Sequence, residues 1–121
     1  MSDAVRSLRL TRRSLLASSA ASLAFASEPV KLPQKVRVAV WGLDGHSGEF
    51  TKPLAQYPDV EIVGVYDANT KAAERYAKGK AKVFTDPRRM LDELKPDIAG
   101  IANNDGERAA AVLECANRKL H

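Results

Sequence analysis

Apolar residues fall along this chain in short dense runs separated by stretches of helical spacing. Val36 to Trp41 (VRVAVW) and Glu61 to Tyr66 (EIVGVY) are rich in β-branched residues, Ile98 to Ala102 (IAGIA) is a third run, and Val83-Phe84 is a short fourth. Runs this continuous are what parallel strands covered on both faces look like. Between them apolar positions recur three and four apart: Phe50, Leu54 and Tyr57 around Gly48 to Gln56, Ala73, Tyr76 and Ala77 in Thr70 to Lys78, and Met90, Leu91 and Leu94 after Asp86-Pro87. Asp86 suits a helix cap and Pro87 the first helical position. In the last stretch Ala109, Val112, Leu113 and Ala116 predict an apolar face, with Asp105 placed to cap that helix. Pro53 is expected to kink the first helix or delay its start. The order β-α-β-α-β-α-β-α predicts an α/β fold with a parallel sheet of about four strands and right-handed crossovers.

The first run ends in three glycines spaced three apart, Gly42, Gly45 and Gly48, in VRVAVWGLDGHSG. A strand feeding a glycine turn that opens a helix leaves backbone N–H groups pointing outward, where the helix dipole favours a bound phosphate. The candidate cofactor-binding residues are therefore Gly42, Leu43, Asp44, Gly45, His46, Ser47 and Gly48. Gly42 is expected to allow the sharp turn, Gly45 the approach of backbone to pyrophosphate, and Gly48 the packing of helix on strand. The spacing is G-x-x-G-x-x-G, so Asp44 stands where the commonest fingerprint has its second glycine. Its carboxylate either turns to solvent or the loop takes another course. Ser47 is placed to cap the helix or donate to a phosphate oxygen, and His46 reads as a solvated loop residue.

Asp67, at the end of the second strand, lies 19 residues beyond Gly48. An acid about 20 residues on accepts the ribose hydroxyls of NAD, and its charge opposes the extra phosphate of NADP. NAD is favoured over NADP, with Lys71 near enough to soften the preference. The plainer alternative is that Asp67 only starts the turn Asp67-Ala68-Asn69. Together these features predict a Rossmann-like dinucleotide-binding domain over residues 35–121. A full fold of this kind has two halves and about six strands, so its second half is expected to be incomplete, with a fifth strand due at His121.

Composition changes the picture at the N-terminus. Residues 1–26 hold Arg6, Arg9, Arg12 and Arg13 against the single acid Asp3, then run LLASSAASLAFA without charge to an Ala24-Phe25-Ala26 cleavage pattern. Thr11-Arg12-Arg13-Ser14-Leu15-Leu16 resembles a twin-arginine export signal, which implies use of the export machinery and a periplasmic or extracellular destination. A general-secretion signal is the alternative. Residues 27–34, with two prolines, read as a linker. Setting the signal aside leaves 15 basic and 14 acidic residues, so the pI of 9.4 belongs to the precursor and no nucleic-acid partner is expected. The single cysteine, Cys115, excludes an internal disulfide and reads as a small buried hydrophobe.

The run from VRVAVWGLDGHSG through VEIVGVYDANTKAAERYA and VFTDPRRMLDELKPDIAGIANN to AAAVLECANRK resembles the N-terminal domain of the glucose-fructose oxidoreductase, inositol dehydrogenase and rhizopine-catabolism (Gfo/Idh/MocA) family. The most telling part is Thr85-Asp86, Met90-Leu91 and Lys95-Pro96-Asp97 leading into the fourth strand. The resemblance implies an NAD(P)-dependent oxidoreductase acting on sugars or polyols. It assigns Gly42, Gly45 and Gly48 to the phosphate loop and Asp67 to the adenosine ribose. Asn103 and Asn104 take the place of the family's Pro-Asn pair, near the nicotinamide side. The family's histidine three residues on falls at Glu107. The Glu-Lys-Pro motif and the substrate domain with its catalytic histidine are expected after His121, so the reading is a truncated member that binds NAD without catalysing. Two alternatives stand beside it: a non-catalytic nucleotide-binding or assembly module, its open sheet edge completed by a second copy or a partner chain, and the start of an NADP-dependent semialdehyde or acylphosphate reductase, whose loop also reads G-x-x-G-x-x-G and whose nucleophilic cysteine comes from a later region, Cys115 being a poor candidate.

Overall fold

The computed structural model describes residues 31–54 and 56–121, and the expected export signal and the first part of the linker lie outside these. Four strands, β1 (Val36–Trp41), β2 (Val60–Tyr66), β3 (Lys82–Phe84) and β4 (Ile98–Ile101), alternate with four helices, α1 (Ser47–Leu54), α2 (Thr70–Ala77), α3 (Pro87–Leu94) and α4 (Asp105–Asn117). The strands form one sheet in the order β3-β2-β1-β4, with every pairing parallel. The chain thus winds outward from β1 to β3, then crosses back to place β4 on the other side of β1. That reversal puts a switch point between β1 and β4, where ligands bind beyond the carboxyl ends of strands in such sheets.

Alternation along β1 divides the core. Ala39 and Trp41 face a cluster with Phe84, Met90, Leu91, Ala111 and Cys115, which brings α3 and α4 onto one face. Val40 faces the other way, with Val65, Ala73 and Ala77, flanked by Phe50 and Tyr76 from α1 and α2. Both faces are covered, which is why the strands read as continuous apolar runs.

Local signals set the helix ends. Asp86 caps α3, accepting from the Arg88 and Arg89 N–H groups, with Pro87 at the first position as expected. Asn69 caps α2, accepting from Ala72 N–H at 3.2 Å. Lys78 and Lys95 close α2 and α3 in the left-handed conformation, each returning its N–H to a carbonyl four residues back. Pro53 does not delay α1, which opens at Ser47 and ends at Leu54, one residue past the proline. There the missing N–H only removes a bond from the last turn.

Two expectations about α4 are corrected. Its cap is Asn104, whose side chain accepts from Glu107 N–H at 3.1 Å, and Asp105 is its first helical residue. Its buried stripe is Ala111 and Cys115, whereas Val112 and Leu113 are 48% and 62% exposed and Ala109 and Ala116 also face outward. Small residues let the helix approach the sheet closely, and a charged flank fixes its rotation. Glu114 accepts from Arg88 Nε at 2.7 Å and from Arg118 Nη1 at 2.6 Å, while Arg118 Nε reaches Asp92 at 2.8 Å. At the end of the chain, His121 N–H donates to the Asp97 carbonyl at 3.3 Å and the His121 carbonyl accepts from Ala99 N–H at 2.8 Å. This is the pattern of a parallel strand beginning on the outer edge of β4, where a fifth strand was expected.

Candidate functional site

The loop after β1 is held from both neighbouring strands. Gly42 N–H donates to the Tyr66 carbonyl at 2.7 Å, Leu43 N–H to Asp67 Oδ2 at 2.7 Å, and Asp44 N–H to the Ala102 carbonyl at 2.9 Å. Successive amides are therefore tied to the end of β2, to the acid that follows it, and to the residue after β4. Gly42 sits at φ +91°, and a Cβ there would meet Asn103 N at 2.7 Å and the Ala102 carbonyl carbon and oxygen at 2.8 Å. These neighbours are backbone, so the turn between β1 and β4 closes only over a residue without a side chain.

Beyond that turn the loop opens to solvent. Asp44, Gly45 and His46 are exposed, and Gly45, at φ +48°, has nothing within 4 Å of where its Cβ would stand. Among the described residues, the amides of Gly45, His46 and Gly48 have no acceptor within the chain. Ser47 N–H bonds the Asp44 carbonyl at 3.2 Å and Glu49 N–H the His46 carbonyl at 2.9 Å. Ser47 is the first helical residue and not a cap, and its hydroxyl donates back to the Leu43 carbonyl at 3.3 Å. Free amides at the start of α1, together with the helix dipole, fit a phosphate.

A cleft of about 550 Å³ borders this loop, lined by Asp44, Gly45, His46, Glu49, Phe50, Ile101, Ala102 and Arg108. That size suits a small-molecule cofactor. The structure brings together Asp44, Gly45 and His46 from the expected set; Gly42, buried, and Leu43, half-buried, form the loop's base rather than the lining. Spacing between motif residues did not point to Phe50, Ile101 or Arg108. Among the lining residues, Asp44 and Glu49 are acidic and Arg108 is the permanent cation. His46 Nε2 lies 3.8 Å from Glu49 Oε1, both side chains well exposed, so this contact adds little.

Asp67 does two things at once. Oδ1 accepts from Asn69 N–H at 2.8 Å, so the carboxylate does start the turn, and Oδ2 holds Leu43 of the glycine loop. A carboxylate offers about four lone-pair sites, which leaves about two for a ribose diol. Asn104 is the cap of α4. Asn103 is 7% exposed, with Oδ1 buried and unpartnered among the described residues.

The role expected of Gly48 is corrected. A Cβ there would meet only the flexible Lys52 side chain at 3.5 Å or more. Close packing of helix on sheet occurs instead at Gly100 of β4, where a Cβ would enter the Phe50 ring, and at Gly64 of β2, where it would strike Leu94 and come within 3.2 Å of Met90. A glycine inside a strand run is the signal that would have found both.

The family model for the Gfo/Idh/MocA oxidoreductases, described as an NAD-binding Rossmann fold, matches residues 36–121. No curated protein matches the chain. A putative dehydrogenase from Bordetella bronchiseptica RB50 is 26% identical, with a TM-score of 0.66 over 73% of this chain and 24% of its own. The myo-inositol dehydrogenase from Lactobacillus casei, solved with NAD(H) and myo-inositol, is 25% identical, with a TM-score of 0.63 over 69% of this chain and 26% of its own. The WlbA dehydrogenase from Bordetella pertussis, solved with NADH and UDP-GlcNAcA, is 24% identical and shares the fold, with a TM-score of 0.66 over 77% of this chain and 27% of its own. The chain thus spans about a quarter of the length of these structures. With the fold, the glycine loop and the family match in agreement, the chain belongs to the Gfo/Idh/MocA oxidoreductase family, and residues 36–121 form an NAD-binding Rossmann domain.

Proposed function

We propose that the carboxyl ends of β1, β2 and β4 hold NAD in preference to NADP, with the pyrophosphate on the amides of Gly45, His46 and Gly48 and the adenosine ribose on Asp67. The observation that carries this is the bond between Asp67 and Leu43, which sets a carboxylate with spare acceptor sites beside the glycine loop. That negative charge opposes a phosphate on the ribose, and Lys71, exposed in the first turn of α2, is the nearby cation that tempers it. Asn103 and Asn104 stand toward the nicotinamide side. Bound NAD supplies a hydride acceptor; the chain's own residues bind and orient it.

In a longer protein the same domain would serve oxidation of a sugar or polyol, a reading supported by family membership and by the inositol named for the Lactobacillus enzyme. The reductase alternative is disfavoured by the family match over residues 36–121, and Cys115, 5% exposed and with its thiol pKa pushed up by burial, is not placed as a nucleophile. An assembly role through the β4 edge, with a second copy or a partner chain, is not favoured, because His121 of the same chain makes the main-chain pairing there. The Arg12-Arg13 pattern supports export of the folded chain by the twin-arginine route, and replacing both by lysine should hold the precursor inside the cell.

The chain's single tryptophan, Trp41, is the residue before Gly42 and 7% exposed, so its emission reports on the site. Titrating the full chain with NADH and NADPH should quench that emission by energy transfer, with NADH bound roughly tenfold more tightly, as expected for about 1.4 kcal/mol of discrimination. Asp67→Asn, which keeps an acceptor for Leu43 but drops the charge, should erase the preference. Tighter binding of NADPH by the unaltered chain would overturn the role given to Asp67, and no binding of either at millimolar concentration would overturn the site.

A further inference from the structure

We propose that Arg108 is a further cofactor-binding residue, a cation on the wall of the cleft formed by the β4–α4 turn that takes a phosphate oxygen of the dinucleotide. The inference rests on the dinucleotide reading above and adds to it a residue outside the glycine loop and Asp67.

The cleft needs such a group. Its ionised lining residues apart from Arg108 are Asp44 and Glu49, both exposed. A pyrophosphate brings about two more negative charges between them, and three backbone amides offer only partial positive charge against this. Among the lining residues Arg108 is the permanent cation able to balance it; Lys52, whose Nζ lies 3.9 Å from where a Cβ of Gly48 would stand, is outside that lining.

Its geometry is that of an anchored donor with a free edge. Arg108 Nη2 donates to the Asn103 carbonyl at 2.9 Å and lies 3.0 Å from Asp105 Oδ1. Those two acceptors account for one nitrogen of the guanidinium. The N–H groups on Nε and Nη1, about three of the five donors an arginine carries, have no acceptor among the described residues. The other ion-paired arginines are used differently. Arg88, Arg89 and Arg118 turn their Nε donors onto Glu114, Glu93 and Asp92 and tie helices to one another or to themselves. Arg108 instead braces the turn after β4 through the Asn103 carbonyl, and the residue is part of the cleft lining. The bond to Asn103 limits the guanidinium's freedom before any ligand arrives, so less ordering entropy is lost on binding. Asp105, on the first turn of the same helix, competes for the charge and weakens it in the free protein.

The test uses the full chain, titration calorimetry, and two probes, NADH and adenosine, which share a base and ribose but differ in phosphate. Arg108→Gln should weaken NADH roughly tenfold, as expected for loss of a charge-assisted hydrogen bond, and leave adenosine unchanged. Arg108→Lys should keep most of the affinity, because charge remains. Asp105→Asn should tighten NADH several-fold, and that gain should vanish when Arg108→Gln is also present. Raising the salt concentration should narrow the gap between the unaltered chain and Arg108→Gln. Equal NADH affinity in the unaltered chain and Arg108→Gln would overturn the inference and leave the dinucleotide site standing. Equal losses for NADH and adenosine would reduce Arg108 to a brace of the turn, which also overturns it. If the unaltered chain binds neither probe, both this inference and the reading it rests on fall.

Discussion

Replacing Gly42 by alanine tests whether the glycine loop is held by the β1–β4 contact. Two costs follow from its surroundings. At φ +91° an L-residue is strained by about 1–2 kcal/mol. The added Cβ would also stand 2.7 Å from Asn103 N and 2.8 Å from the Ala102 carbonyl, well inside contact, where the neighbours are main chain and cannot swing aside. Overpacking of this kind costs a further ~1–3 kcal/mol, and the lower entropy of an unfolded alanine returns under about 1 kcal/mol of that to the folded state. A net loss of about 2–4 kcal/mol is a large fraction of what a domain of this size has, on the order of 5–13 kcal/mol. Gly45 is the internal control. It also has positive φ, +48°, but a Cβ there meets nothing within 4 Å, so Gly45→Ala should cost only about 1 kcal/mol. Thermal unfolding of the full chain, followed by circular dichroism, should place Gly42→Ala roughly 10–25 °C below the unaltered chain and Gly45→Ala roughly 5 °C below. Equal losses in the two variants would refute the contact as the reason for the glycine. Nucleotide titration adds a second reading: Gly42→Ala should lose NADH even where it remains folded, because the loop must move off Ala102.

The remaining expectations concern the two faces of the sheet. Gly100→Ala should drive Phe50 off β4, and since Phe50 lines the cleft, NADH affinity should fall together with stability; unchanged affinity would show that Phe50 yields without disturbing the site. Stability should also depend on acid pH. Arg118 holds the Asp92 and Glu114 carboxyls below their usual range, and Arg89 does the same for Glu93. A depressed folded pKa means that the stability these groups add is complete above their unfolded values, near 3.8 and 4.5, and is lost as pH falls through the folded ones. Urea midpoints measured from pH 6 down to pH 2.5 should drop, and Arg118→Gln should flatten that fall; a parallel curve would assign the acid sensitivity elsewhere. Cys115, buried and with its thiol pKa raised by desolvation, should resist a thiol reagent at pH 8 until urea unfolds the chain, and prompt labelling of the folded protein would contradict that burial.

Much of this architecture was legible in the residues because it rests on local signals. Continuous β-branched runs gave the strands, Asp86-Pro87 gave the start of α3 through a cap and a residue that needs no N–H, and three glycines after β1 marked the loop. What was hidden depends on neighbours far along the chain. Periodicity showed that α4 has an apolar stripe of Ala109, Val112, Leu113 and Ala116, yet the helix buries Ala111 and Cys115. The deciding residues, Arg88 and Asp92, stand on a different helix and pull Glu114 and Arg118 toward it. Motif spacing points to Gly48 for the close packing that belongs to Gly64 and Gly100, whose mark in the sequence is only a glycine inside a strand. Asn104 and Asp105 are both good caps, and only the backbone, extended at Asn104, decides between them. Arg108 was missed because it carries no motif and becomes part of the cleft only when β4 lies beside β1.

The carboxylate proposed to select the cofactor also holds the glycine loop, and this couples specificity to folding. Asp67 fixes Leu43 N–H on one oxygen and Asn69 N–H on the other, so the loop after β1 and the turn before α2 share one anchor. A substitution such as Asp67→Ala, made to admit the extra phosphate of NADP, would leave two amides without their acceptor, a cost of about 1–3 kcal/mol for each that stays buried. Leu43 is partly buried, so its amide bears most of that cost, whereas Asn69 is exposed and water can replace the bond. The constraint on the end of β2 is therefore sharper than a charge preference: the residue there must accept from Leu43 whichever dinucleotide it favours. Asparagine or serine meets that condition without the negative charge. An arginine or lysine there, though attractive to a phosphate, has no acceptor to offer, so a cation for NADP has to come from a neighbouring position such as Lys71, with an acceptor kept at 67.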